Sequence, residues 1–168
     1  MREGTAFLNI GFLTLVFQLG LARHISVHSY AVPMPYVMYW LYLPLSWNPY
    51  WGLVAASVFG VILDILFPPY GLQSFCGLWV WGLRRFWLRA LHPTLPEKAE
   101  ATLFQRFSSG DFFAYGFPLT LWHHLWYISL VEWSLGFHTL LRIGLSSLYS
   151  FFWEWVIFEL LLHRYHAR

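Results

Sequence analysis

The chain has 168 residues, of which 58% are hydrophobic, 22% aromatic and only 11% charged. Soluble domains carry about 25% charged residues, so this composition excludes an ordinary water-soluble globule and indicates an integral membrane protein. The formal net charge of +2 gives no reason to expect a nucleic-acid partner. The length fits one domain of about five or six spans, at roughly 20 residues per span with short connections.

Six apolar segments predict six membrane spans within a single integral membrane domain that covers residues 1–168. The spans are predicted at residues 6–22, 32–45, 51–67, 71–91, 112–133 and 140–162. The second segment carries Pro33, Pro35 and Pro44, so we expect it to be irregular at its ends. Residues 68–71 read Pro-Pro-Tyr-Gly, which predicts a tight break between the third and fourth spans.

The distribution of Lys and Arg predicts the orientation, because cytoplasmic loops of membrane proteins carry an excess of both. The main polar stretch, residues 92–111, follows the fourth span. Basic residues in and just before it predict that it is cytoplasmic: Arg84, Arg85, Arg89, Lys98 and Arg106. Six spans then put both termini in the cytoplasm, in agreement with Arg2 and Arg164, whereas Arg23 and Arg142 fall on the outer side.

Two of these basic residues, Arg84 and Arg85, lie only about 20 Å along the fourth span, short of the ~30 Å hydrocarbon core. They must therefore snorkel to the membrane surface, or the helix must turn into the interface there. Arg85, Arg89 and His92 share one helix face, which predicts a short basic amphipathic helix on an anionic leaflet. An ordinary cytoplasmic helix end with positive-inside charges is the alternative.

One acidic residue, Asp64, lies late in the third span. A carboxylate at membrane depth costs several kcal/mol unless it is paired, protonated or near water. The predicted topology places Asp64 in the outer third of the membrane, beside the break at residues 68–71. Two interpretations remain open. Asp64 is either a helix-end carboxylate that reaches interfacial water or a backbone amide, or a buried residue that binds a partner or fixes packing.

The fifth span contains His123, His124 and Glu132, which invites a metal-site hypothesis that the spacing disfavours. Adjacent residues on a helix diverge by about 100°, so the two imidazoles cannot chelate one ion unaided. Glu132 lies about 12 Å further along the helix than His124. We therefore expect the histidines to make interhelical hydrogen bonds or to pack with Trp122 and Trp126.

The sequence contains no Gly-x-Ser-x-Gly motif, no phosphate-binding glycine loop and no metal-ligand spacing. Ser146 and Ser147 are instead typical of close helix packing in membranes. In the last span, Glu154 needs a partner from another helix or another protein, and Glu159 can pair with His163. The sequence therefore predicts a membrane scaffold without a metal or cofactor, and a binding subunit whose aromatic side chains line a pocket is the alternative.

Three short motifs flank or lie in the third span: Tyr42-Leu43-Pro44-Leu45, Phe59-Gly60-Val61-Ile62-Leu63-Asp64 and Gly71-Leu72-Gln73-Ser74. Together they resemble the rod shape-determining protein MreD family. That family typically has Leu-Pro before the third span, Gly-Leu-Leu-x-Asp late in it and Gly after a short turn. The pair His123-His124 followed by Glu132 is similar to the Bacteroidota branch. Val61, where Leu is common, and the Pro-Pro turn are departures.

The resemblance implies an all-α bundle of six transmembrane helices, similar to the substrate-binding subunits of energy-coupling-factor vitamin transporters. It also implies a multi-pass protein of the bacterial inner membrane that binds MreC. That pair would regulate the peptidoglycan synthase formed by RodA and a class B penicillin-binding transpeptidase. By position, Gly60, Asp64 and Gly71 match residues that mark the family, and we expect Asp64 to shape an outer partner surface. A vitamin-binding transporter subunit is the alternative function.

Overall fold

The computed structural model of the chain describes residues 2–22, 30–44, 47–93 and 107–166. Within these residues there are six α-helices and no β-strand, which confirms the all-α prediction. The helices are α1 (Arg2–Phe17, continued by a π-helical turn, Gln18–Ala22), α2 (Val37–Leu41), α3 (Pro49–Leu66), α4 (Leu72–Leu91), α5 (Ser109–Glu132) and α6 (Phe137–His166).

Five long helices lie over the predicted spans 6–22, 51–67, 71–91, 112–133 and 140–162. The predicted span 32–45 differs, because its only helix is the five-residue α2. By length and composition, α3 is the one described helix long and apolar enough to cross a membrane. Most of the predicted polar loop, residues 94–106, and the side chain of His163 lie outside the described residues.

Local sequence signals account for where two of these helices begin. Asn48 precedes α3 and its side chain accepts a hydrogen bond from the backbone N–H of Tyr50, while Pro49 occupies the first helical position, where no N–H is needed. Ser108 and Asp111 form a capping box at the start of α5, each side chain accepting from the other residue's backbone N–H. Both ends are therefore set by short-range hydrogen bonds.

The second apolar segment lies in the interior of the bundle. Helices α3, α4, α5 and α6 pack in chain order, each against the next, and α2 contacts α1, α4 and α5. We call residues 31–44 the central segment, and residues 33–43 within it are all buried. Trp40 is fully buried at its middle, and its indole Nε1 donates to the carbonyl of Ala56 at 3.2 Å. The core is therefore built around this segment.

Candidate functional site

Asp64 joins the end of α3 to the start of α4. It is 7% exposed. Its Oδ1 accepts from the backbone N–H of Gln73 at 2.8 Å, and its Oδ2 accepts from the backbone N–H of Ser74 at 3.0 Å and from the Ser74 hydroxyl. First-turn amides have no partner within their own helix and carry the positive end of the helix dipole. Asp64 therefore caps α4 from the preceding helix.

Two glycines complete this α3–α4 junction, which we define as residues 60–74. A Cβ on Gly60 would lie 2.6 Å from the Cα of Ser74, so only glycine lets the two helices approach this closely. Gly71 has φ +87°, a left-handed conformation that favours glycine, directly before α4. The three residues singled out by the resemblance, Gly60, Asp64 and Gly71, thus meet at one junction. Asp64 bonds to backbone amides, as the first of the two interpretations describes, and it is buried and fixes α3 against α4, as the second describes.

The junction is connected to the central segment through α4. The side-chain Oε1 of Gln73 accepts a hydrogen bond from the hydroxyl of Tyr36. One turn further along α4, Gly77 lies against the ring of Trp40, which occupies the space where a Cβ would stand. The first two turns of α4 therefore hold both Asp64 and α2.

Arg84 departs from the prediction that it lies at the membrane surface. It is 1% exposed. Its guanidinium donates to the carbonyls of Trp40, at 2.6 Å, and of Leu43, while the Tyr115 hydroxyl donates to the carbonyl of Leu41 at 3.0 Å. Carbonyls at a helix C-terminus lack intrahelical partners and attract positive charge. The surface prediction for Arg84 is wrong because the irregular central segment needs hydrogen-bond donors inside the bundle, and Arg84 supplies them.

The other two predicted surface arginines lie differently. Arg85 is partly buried and donates to the carbonyl of Trp47 at 3.2 Å, whereas Arg89 is exposed. His92 lies 3.8 Å from a carboxylate oxygen of Asp111, at the start of α5. The contact of Arg89 and its neighbours with an anionic leaflet stays a prediction.

At its other end, the central segment is held by α6 and by the π-helical turn. The backbone N–H of Val32 donates to Ser146 Oγ at 3.1 Å and that of Met34 to Ser150 Oγ at 2.8 Å. The amide of Gln18 donates to the carbonyl of Pro33 at 3.4 Å. Irregular backbone is tolerated at membrane depth only where protein or water satisfies it. These side chains meet that requirement, and sequence reasoning assigned none of them this role.

His124 makes the interhelical hydrogen bond that the sequence predicts. Its Nδ1 lies 2.8 Å from the carbonyl oxygen of Thr120, and its Nε2 lies 2.9 Å from Ser150 Oγ. Because a carbonyl can only accept, Nδ1 carries the proton and the Ser150 hydroxyl donates to Nε2. The histidine therefore fixes α5 against α6 at the level of the central segment.

His123 packs among rings other than the predicted Trp122 and Trp126. It stacks between Trp40 and Tyr127, with ring centroids at 5.8 and 6.0 Å. Neither ring nitrogen has a hydrogen-bond partner within the described part of the chain. The difference arises because Trp40 belongs to the central segment, whose interior position the sequence pattern did not reveal.

The two remaining acids of interest pair with residues other than the histidines. Glu132, at the end of α5, pairs with Arg142 of α6 at 2.5 Å. Glu154, fully buried on α6, accepts from the Thr120 hydroxyl at 2.7 Å through Oε2. No group of three or more His, Cys, Asp or Glu side chains that could hold a metal ion occurs among the residues described.

The chain matches no protein-family model, no curated protein and no solved structure. The geometry of the described residues and the motif resemblance are what point to a function. That geometry brings Gly60, Asp64 and Gly71 together at one junction and leaves Glu132 in a separate ion pair with Arg142.

Proposed function

We propose that this chain is a non-enzymatic membrane scaffold of the bacterial elongation machinery. It binds MreC and helps to regulate peptidoglycan synthesis by RodA and its transpeptidase, and hence rod cell shape. The proposal places the chain in the inner membrane as a multi-pass protein with both termini in the cytoplasm. It is supported by the motif resemblance, and the observation that carries it is the junction formed by Gly60, Asp64 and Gly71.

The junction suits a surface that another protein recognises. Every polar atom of the Asp64 carboxylate already has a partner in its own chain, so Asp64 acts by fixing the turn at residues 67–71. That turn carries Tyr70, which is 77% exposed. A turn held rigid before binding loses less conformational freedom when a partner docks. In the proposed topology, this turn faces the outer leaflet, where the extracytoplasmic part of MreC begins.

The contents of the bundle favour a scaffold over a vitamin-binding subunit. Small-molecule sites are concave cavities that enclose most of their ligand. Here the central segment lies in the interior of the bundle and its helix packs against α1, α4 and α5, with Tyr36 and Trp40 at 1% and 0% exposed. Tyr36 and Trp40 therefore pack within the chain and are not available to stack on a vitamin in the interior.

An apolar groove on the outside of the bundle offers a second contact for a partner helix. It has a volume of about 430 Å³ and lies between α5 and α6, lined by Phe113, Leu148, Phe151, Phe152 and Trp155 with Ser109 and Gly110 at one end. Helices associate in membranes mainly through close fit, since lipid is as apolar as their surfaces. The single membrane helix of MreC is the occupant that the proposed function assigns to it.

Co-purification of MreC with the chain from mildly solubilised membranes tests the proposal. We expect recovery with the unmodified chain and reduced recovery with Asp64→Asn. Ser57→Ala is the matched control, because the Ser57 hydroxyl bonds only within its own helix, to the carbonyl of Leu53 at 2.8 Å. Failure to recover MreC with the unmodified chain, or a stoichiometric bound vitamin detected by mass spectrometry, would contradict the scaffold function.

A further inference from the structure

Glu154 is a fully buried acid whose carboxyl group is only half satisfied. Its exposed fraction is zero. Oε2 accepts from the Thr120 hydroxyl at 2.7 Å, whereas Oε1 has no hydrogen-bond partner among the residues the structure describes. An ionised carboxylate has about four lone-pair sites to satisfy, and this one receives a single donor. The ionised form would therefore leave most of its lone pairs without a donor.

The groups that the structure links to Glu154 come from two elements: Thr120 on α5, whose hydroxyl donates to it, and Tyr42 in the central segment, which interacts with it electrostatically. His124 shares Thr120 with Glu154, since its Nδ1 bonds to the Thr120 carbonyl. Both nitrogens of His124 are occupied, by the Thr120 carbonyl and by Ser150. His124 therefore has no N–H left to donate to Glu154.

Three described arginines in or near the bundle interior also have partners other than Glu154. The Arg84 guanidinium donates to carbonyls of α2, Arg85 donates to the carbonyl of Trp47, and Arg142 pairs with Glu132. Within the described residues, no ion pair includes Glu154. A bare carboxylate in an apolar interior costs several kcal/mol or more, and such a group takes up a proton instead.

We propose that Glu154 is a proton-binding site, a neutral carboxylic acid at neutral pH with its proton on Oε1 and with Oε2 accepting from Thr120. The bound proton removes the charge that would otherwise stand between α5 and α6. Its release would leave a carboxylate with one donor, which favours separation of the two helices or entry of water. This inference is independent of the proposed scaffold function.

Infrared spectroscopy of the purified protein tests the site directly. We expect the carbonyl band of a protonated carboxylic acid in the unmodified chain and its loss in Glu154→Gln. Glu132→Gln is the matched control, because Glu132 is ion-paired with Arg142, and this variant should keep the band. A band that persists in Glu154→Gln, or one that is absent from the unmodified chain, would overturn the proposal.

A second measurement needs no variant and so does not depend on Glu154→Gln folding. A hydrophobic carbodiimide reacts with a protonated carboxyl group: the carboxyl oxygen bonds to the carbodiimide carbon, and the acid proton moves to a carbodiimide nitrogen. We expect one adduct per chain, mapped by peptide mass spectrometry to Glu154. A stoichiometric metal cation in the purified protein would show that something other than a proton neutralises this group.

Discussion

Asp64 and Glu154 are both buried acids on long helices, yet their surroundings differ. Asp64 faces the first turn of α4, where two backbone amides and one hydroxyl converge on it. Glu154 lies in the interior of α6 opposite the interior of α5, where backbone amides are already used within the helices, and only Thr120 donates to it. Helix ends therefore supply the donors that a buried carboxylate needs, whereas helix interiors do not.

The strongest test of this difference is Asp64→Ala, for which we expect the free energy of unfolding to fall by about 3 kcal/mol. The change leaves three donors from Gln73 and Ser74 without an acceptor, and each unsatisfied buried donor costs about 1–3 kcal/mol. Unfolding in detergent, followed by circular dichroism, measures the loss. Asp64→Asn keeps one side-chain acceptor and should lose less. Equal stability of the alanine variant and the unmodified chain would disprove the capping role.

The close approach at the junction is tested by Gly60→Ala, which we expect to cost about 2 kcal/mol, as overpacking in a core does. The added methyl group would lie 2.6 Å from the Cα of Ser74, so backbone must move. Gly82→Ala is the matched control on α4, where a Cβ meets nothing within 4 Å. That control should be neutral or stabilising by up to ~1 kcal/mol. Similar unfolding midpoints for Gly60→Ala and Gly82→Ala would contradict the close approach of α3 to α4 at Gly60.

A pair of identical substitutions sharpens the contrast between an ionised and a neutral glutamate. Glu132→Gln breaks the ion pair with Arg142, whose side chains are 17% and 26% exposed, and should cost about 0.5–1 kcal/mol, less at high salt. Glu154→Gln replaces a neutral acid by a neutral amide of the same shape and should cost less still. A larger loss for Glu154→Gln than for Glu132→Gln would argue that Glu154 is charged.

The smallest expected effect concerns Asp111, an exposed acid that also caps a helix. Hydrogen bonds from the hydroxyl and the backbone N–H of Ser108 lower the pKa of Asp111 below its usual range. Its stabilisation is therefore present above the unfolded-state pKa and is lost as pH falls through the folded-state pKa. Hydrogen-exchange protection of the first turn of α5 should therefore decrease as the pH falls from the unfolded-state pKa of Asp111 through its folded-state pKa. Asp111→Asn should remove this dependence, and unchanged dependence in that variant would exclude Asp111 as its source.

Apolar runs and capping signals predicted the long helices closely, because both are local in sequence. Pro33 and Pro35 also predicted that the second segment would be irregular. Its position inside the bundle could not be predicted, because hydropathy does not distinguish a segment surrounded by lipid from one surrounded by protein. Because the interior position of this segment was unknown, the roles of Arg84 and Ser150 could not be predicted, since their partners are backbone groups of the central segment.

The α3–α4 junction was partly predictable because its interacting residues are close together in the sequence. Asp64 and the amides it accepts from are separated by one short turn, and Gly71 before α4 marks where that turn ends. Local sequence therefore contained both the acid and its donors. Glu154 and Thr120 lie on different helices, and only their packing brings them together.

Site-specific photocrosslinking in living cells can show whether the α3–α4 junction presents a surface to MreC. A crosslinker at Tyr70, in the turn that Asp64 fixes, is predicted to give an adduct with MreC. A crosslinker at Phe86, which is 69% exposed near the other end of α4, serves as the control and should give less. No MreC adduct from position 70, or equal yields from both positions, would contradict a role of the α3–α4 junction in binding MreC.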